Sequence, residues 1–179
     1  MKEYIDKILI DEETLNKRVN ELALQINEDY KGKRLVMIGV LKGSFTFMAD
    51  LLRRITLDDV EIDFMKVSSY GASTKSSGVV RIVQDLEINI EKAHLLIVED
   101  ILDTGKTLSY LIDLFESRSP ASVKVCTILN KPSRREVNIE ADYVGFDIPD
   151  EFVIGYGLDY AQKYRNLPFV GVLKKEFVL

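Results

Sequence analysis

Cysteine and histidine are almost missing from this chain of 179 residues, which carries one of each. With Cys126 alone, an intramolecular disulfide is impossible. Its place in the apolar run Val123 to Leu129 suits a buried, inert thiol. With His94 alone, a tetrahedral zinc site built from several His or Cys ligands is excluded. A Ser-His or Cys-His triad could rest only on His94, which opens a strand among charged residues and reads as a surface side chain. Proton transfer therefore falls to carboxylates, lysine, tyrosine or water. A dense basic block is also lacking, and the net charge is −5, which argues against nucleic acid as the main partner. The doublets Arg53-Arg54 and Arg134-Arg135 read as solvated faces. No apolar run approaches membrane-spanning length and the amino terminus is no signal peptide, so the expected location is cytoplasmic, with no membrane partner. Repeats, linkers and low-complexity tracts are absent, so residues 1–179 read as a single domain.

What is present alternates strand with helix. Asp11 caps a helix running to about Tyr30, with Leu15, Val19, Leu22, Ala23 and Ile26 at helical spacing. Leu35 to Leu41 is a strand, followed by Lys42-Gly43-Ser44 and a helix through Phe47, Leu51 and Leu52. Val60 to Val67 and Val79 to Val83 are strands on either side of a polar stretch. Leu95 to Val98 is a buried strand leading to a helix that ends near Ser117. Ser122 to Leu129 is a further strand, and Tyr143 to Phe146, Phe152 to Tyr156 and Val170 to Leu173 are short ones. This order predicts an α/β fold: a mostly parallel, twisted sheet flanked by helices.

The run from Leu95 to Leu108 carries the chemistry. A continuous apolar strand ends in Glu99 and Asp100, where open α/β sheets place their ligands. Asp103, Thr104, Gly105, Lys106 and Thr107 then supply two hydroxyls, a permissive glycine and free backbone N–H groups at a helix start, which together make an anion cradle. Carboxylates beside such a cradle repel a bare anion; a ribose phosphate with Mg²⁺ satisfies both halves. A Walker A loop fails because Asp100 stands where a glycine is needed, and a dinucleotide fingerprint fails because the turn holds one glycine.

Other segments add pieces. Lys42-Gly43-Ser44 repeats the strand-end, glycine, helix-start pattern and could hold a second anion. Ser68 to Gly78 is too polar for a core and long for a connector, as lids are; a lid would shield an oxocarbenium-like ribose from water. Lys131, just past a strand, offers an ammonium to a carbonyl oxygen. Phe152 could stack on a flat base, Asp159 is a hard oxygen ligand for Mg²⁺, and Arg165 can meet a pyrophosphate oxygen with its planar fork.

The Glu99-to-Thr107 run, two acids and then Asp-Thr-Gly-x-Thr, resembles the phosphoribosyl pyrophosphate signature of type I phosphoribosyltransferases. The Lys131-Pro132 element and the Phe152 to Tyr160 element, with its Phe-Val-x-Gly-Tyr-x-Leu-Asp-Tyr pattern, resemble the hypoxanthine-guanine branch. The resemblance implies a Rossmann-like sheet with a small hood formed by the terminal segments, and transfer of phosphoribosyl from phosphoribosyl pyrophosphate to N9 of hypoxanthine or guanine. IMP or GMP and pyrophosphate are then the products and Mg²⁺ the cofactor. By the same resemblance Asp103 is the general base near N7 and Lys131 binds O6. Phe152 stacks while the Val153 backbone reads the base, and Lys42 and Gly43 bind pyrophosphate. Ser69 and Tyr70 close over pyrophosphate, Glu99 and Asp100 hold ribose hydroxyls directly or through metal-bound water, and Asp159 holds a second Mg²⁺ beside Arg165. A homodimer or homotetramer is implied. Two rivals stand beside this: a non-catalytic nucleotide-sensing regulator, and an enzyme preferring xanthine.

Overall fold

The computed structural model describes residues 3–69 and 80–177. Helix α1 (Glu12–Asp29) begins where predicted: the Asp11 carboxylate accepts from the Thr14 N–H at 2.8 Å, filling one of the donors a helix start leaves unpaired. Helix α2 covers Phe45–Leu52 and α3 covers Lys106–Glu116. Between and after them run β2 (Leu35–Leu41), β3 (Val60–Ser69), β4 (Val80–Gln84), β5 (His94–Leu102), β6 (Ser122–Asn130) and β7 (Tyr143–Asp147), in the sheet order β4-β3-β2-β5-β6-β7. All neighbours are parallel except β4, which returns antiparallel on the edge beside β3.

The central strands are apolar on both faces because helices cover both. Leu35, Met37, Leu96 and Val98 pack under α1 and α2 with Leu15, Leu22, Ile26, Phe47 and Leu51. Val36, Ile38, Leu95 and Ile97 pack under α3 with Leu108, Leu111 and Phe115. The strand period of two thus sends alternate residues into two separate cores. Each fully buried Leu, Ile or Phe contributes roughly 1.5–3 kcal/mol, so the sheet is a rigid base for whatever its carboxyl ends carry.

A second, smaller sheet is the expected hood. It has the order β1-β9-β8, from β1 (Ile5–Ile10), β9 (Val170–Leu173) and β8 (Val153–Ile154), all antiparallel. Two details differ from the sequence reading. Ile5–Ile10 forms a strand where none was expected, because its partner lies at the far end of the chain (Ile5 opposite Leu173). The predicted strand Phe152 to Tyr156 shrinks to Val153–Ile154, because Gly155, Tyr156 and Gly157 take positive φ values that no ladder accepts. No helix among the described residues is long and apolar enough to cross a membrane.

Candidate functional site

The site lies along the carboxyl ends of β2, β5 and β6. Strand β5 runs past Val98 to Leu102, so Glu99 and Asp100 are inside its last residues rather than beyond it. The alternation of the core continues through them. Glu99 faces the start of α3, lining a small cavity of about 80 Å³ with Asp103, Thr104, Gly105, Thr107 and Leu108. Asp100 faces the other way, toward the start of α2. A Cβ placed on Gly43 would fall 1.6 Å from Asp100 Oδ2, so only glycine allows the backbone of the β2–α2 loop to press against this carboxylate. Within that loop the Leu41–Lys42 peptide is cis.

Glu99 and Asp100 have no salt-bridge partner among the described residues. Burial pushes the Glu99 carboxyl well above its ordinary range, and the neighbouring Asp100 pushes it further. Burial also lifts Asp100 to about 6, against the lowering pull of the Ile101 N–H and of its own amide, and of Arg165. A buried Glu99 beside a half-buried Asp100, with no cation at either, is costly; the two suit a ligand that brings hydroxyl donors or positive charge.

The turn read as an anion cradle has a left-handed glycine at its centre. Gly105 has φ +83° and precedes α3, where Lys106 begins the helix. A Cβ on Gly105 would fall 2.4 Å from Ile139 Cγ2, so the turn is fixed by sterics on its outer side. The Thr104 hydroxyl accepts from the Lys106 N–H at 3.5 Å. The Lys106 ammonium pairs with Glu136, so its main chain rather than its side chain faces the cradle.

A second cavity, of about 450 Å³, adjoins the first through Ile101 and Asp103. Lys131, Arg134, Asp150, Glu151, Phe152, Val153, Leu158 and Asp159 complete its wall. Lys131 follows β6 directly, is only 8% exposed, and donates to the Glu151 carbonyl at 2.7 Å. Phe152 is 43% exposed, lines this cavity, and meets Tyr160 edge-on at 5.5 Å. Asp159 and Arg165 form an ion pair at 2.7 Å, and the Gln162 N–H donates to the same carboxylate at 2.8 Å. Arg165 also donates to the Gly157 carbonyl at 2.7 Å. Lys42 reaches toward this cluster and donates to the Gln162 side chain at 3.2 Å.

Of the expected site residues, Glu99, Asp103, Thr104, Gly105 and Thr107 line one cavity. Asp103, Lys131, Phe152, Val153 and Asp159 line the other. Gly43, Asp100, Lys42 and Arg165 lie between the β2–α2 loop and the Asp159 cluster. Ser69 ends β3. Tyr70, and the lid reading of the stretch to Gly78, lie outside the described residues.

Two sequence readings are corrected. The Arg134-Arg135 doublet is not merely a solvated face: Arg134 Nε lies 3.3 Å from Asp103 Oδ1, and Arg135 donates to the Asp103 carbonyl and at 2.5 Å to Asn130. Arg54 likewise holds Asn16 at 2.9 Å and the Asp50 carbonyl at 2.7 Å. His94 is half-buried, its Nδ1 2.8 Å from the Ser122 hydroxyl and its ring edge-on to Tyr30. Arg134, Asp150 and Glu151 escaped the sequence reading. Their only signal was charge beside Pro132 and Pro149, on either side of the candidate lysine and phenylalanine.

Comparison with known proteins gives the chain a family. A family model described as phosphoribosyl transferase domain matches residues 7–161. The chain is 53% identical over 174 residues to the hypoxanthine-guanine phosphoribosyltransferase of Bacillus subtilis, which covers 97% of this chain and 96% of that one. It is 52% identical over 176 residues to the bifunctional protein TilS/HprT of Listeria monocytogenes, a match spanning 98% of this chain and 27% of that relative. A hypoxanthine phosphoribosyltransferase crystal structure from Staphylococcus aureus superposes with a TM-score of 0.93 at 50% identity, covering 97% of this chain and 94% of the other.

Proposed function

Since the chain belongs to the phosphoribosyltransferase family, in its hypoxanthine-guanine branch, we propose that it transfers phosphoribosyl from phosphoribosyl pyrophosphate to N9 of hypoxanthine or guanine. The products are IMP or GMP and pyrophosphate. The observation that carries the assignment is the pair of adjoining cavities. One is lined by Glu99 and the Asp103-to-Thr107 turn, the other by Asp103, Lys131, Phe152 and Val153. Asp103 belongs to both, so it stands where ribose and base meet.

In this reading the α3 turn binds the 5′-phosphate through its main-chain N–H groups and the hydroxyls of Thr104 and Thr107. Glu99 and Asp100 take the ribose hydroxyls. Lys42 and Gly43, with Arg165, take pyrophosphate. Phe152 stacks on the purine, the Lys131 ammonium donates to O6, and the Val153 main chain reads the base edge. Asp103 accepts the proton from the purine N7 as N9 bonds to C1 and the C1–pyrophosphate bond breaks. Ser69 and Tyr70 are assigned to closure over pyrophosphate. Much of the rate follows from holding base and sugar in line.

Glu99 and Asp100 each offer hard oxygens to a divalent cation and lack a salt-bridge partner among the described residues; as neighbours on β5 they face opposite ways, so each would hold metal on its own side of the strand. No cluster of three or more His, Cys, Asp or Glu suited to a metal occurs among those residues, so substrate oxygens would complete the shell. Mg²⁺ held there would offset the charge of the leaving pyrophosphate. Asp159, beside Arg165, is assigned a second Mg²⁺. We further take residues 1–179 as a single domain, acting in the cytoplasm as a homodimer or homotetramer.

The test is nucleotide formation from phosphoribosyl pyrophosphate with hypoxanthine, guanine, xanthine and adenine in parallel, with Mg²⁺ and with chelator. Turnover of hypoxanthine or guanine with adenine inert is expected, and loss of turnover on chelation. Binding of phosphoribosyl pyrophosphate without turnover of any base would move the protein to the regulator class.

A further inference from the structure

The purine cavity is edged by four charged side chains whose signs alternate. Asp103 Oδ1 is 3.3 Å from Arg134 Nε, Arg134 Nη1 is 3.4 Å from Asp150 Oδ2, and Asp150 Oδ1 is 4.0 Å from Lys131 Nζ. All four line the same cavity. Local structure brings them together. Arg134 closes a single helical turn after Lys131, its N–H bonded to the Lys131 carbonyl at 3.1 Å. Asp150 sits in the turn that Glu151 closes onto Pro149 at 2.8 Å.

The contact at Asp103 has an unusual feature. Oδ1 is buried and receives no hydrogen bond, although the guanidinium is 3.3 Å away. The ion pair therefore balances the carboxylate's charge from its buried oxygen, while the side chain as a whole stays 39% exposed and lines the cavity that an N–H donor would enter. Arg134 is in turn fixed from its far side by Asp150, and Asp150 also faces the lysine assigned to O6.

We infer that Arg134, anchored by Asp150, is a positioning residue that orients Asp103 toward the purine N7 and couples this orientation to Lys131 at O6. The inference rests on the functional reading above, since it takes the cavity as the purine's seat. Neither Arg134 nor Asp150 touches the reacting atoms. Their effect passes through the two residues that do, and it concerns the base half of the reaction alone.

The test compares the wild-type protein with Arg134→Gln, Arg134→Lys and Asp150→Asn in steady-state kinetics, varying hypoxanthine and phosphoribosyl pyrophosphate separately. Arg134→Gln should lower kcat/KM for hypoxanthine about tenfold or more, with KM for phosphoribosyl pyrophosphate within about twofold of wild type. Arg134→Lys, which keeps the charge, should recover most of the loss, and Asp150→Asn should fall between. Equal losses for both substrates, Arg134→Lys as impaired as Arg134→Gln, or Arg134→Gln indistinguishable from wild type would each overturn the inference while leaving the enzyme reading intact. A wild-type protein inert toward every base would remove that reading and the inference with it.

Discussion

The acidic residues of the site fall into two groups that differ in their partners. Glu99 is buried and Asp100 half-buried at the end of β5, and both lack a salt-bridge partner among the described residues. Asp103 and Asp159 each face a guanidinium, Arg134 at 3.3 Å and Arg165 at 2.7 Å. The difference teaches what each group awaits. A carboxylate with its counter-charge in place is held as the anion in the free protein, at the cost of that attraction when it takes up a proton. A buried Glu99 beside a half-buried Asp100, neither with such a partner, destabilises the free protein and is relieved by a ligand bringing hydroxyls and cations.

The sharpest way to break this comparison is at Asp103. Asp103→Asn should lower kcat by about 100-fold or more, with the KM for phosphoribosyl pyrophosphate within about threefold of wild type. Steady-state kinetics checks it, and equal losses in both parameters would undo the general-base role. Next comes Lys131, whose ammonium must leave the Glu151 carbonyl to meet a purine oxygen. Lys131→Met should raise KM for hypoxanthine by about 10- to 100-fold, the worth of a charge-assisted hydrogen bond, and should leave adenine inert.

The unpaired group responds in the opposite direction in the free protein. Asp100's carboxyl, lifted from 3.8 to about 6, holds its proton more tightly folded than unfolded. The folded state therefore binds more protons between those two values, and stability falls as pH rises through that window. Asp100→Asn removes the penalty, so it should stabilise the ligand-free protein by up to about 3 kcal/mol at pH 7.5. Thermal melts should show the gain vanish as pH falls below about 4. The smallest effect is expected where a carboxylate pairs in the open. Lys7 on β1 meets Glu151 at 2.8 Å, both partly exposed; Lys7→Ala should cost under about 1 kcal/mol in a chemical denaturation and leave kcat unchanged.

How far all this was legible in the sequence depends on how local each feature is. Helix α1 and the buried strands β2 and β6 rest on spacing within a few residues and formed where expected, while β5 runs on to Leu102 and the Asp103-to-Thr107 turn follows it directly. The hood strand Ile5–Ile10 did not announce itself: only its end residues are buried, so it lacks alternation, and its partner Val170–Leu173 is remote. Arg134 was hidden for the same reason. Its two carboxylate partners come from the β5–α3 turn and the turn before β8, and only the folded sheet places them on one cavity. A basic doublet beside a proline carries no mark that separates such a bridge from a solvated face.

The most direct measurement is the melting temperature of wild type and Asp100→Asn at pH 7.5, each alone and with Mg²⁺ and phosphoribosyl pyrophosphate at saturation. If Glu99 and Asp100 are the seat of ribose and metal, the variant melts higher when free, and the order reverses with ligand because only the wild type gains the full binding energy. The same order in both states would contradict it, leaving the carboxyl end of β5 without the ligand assigned to it.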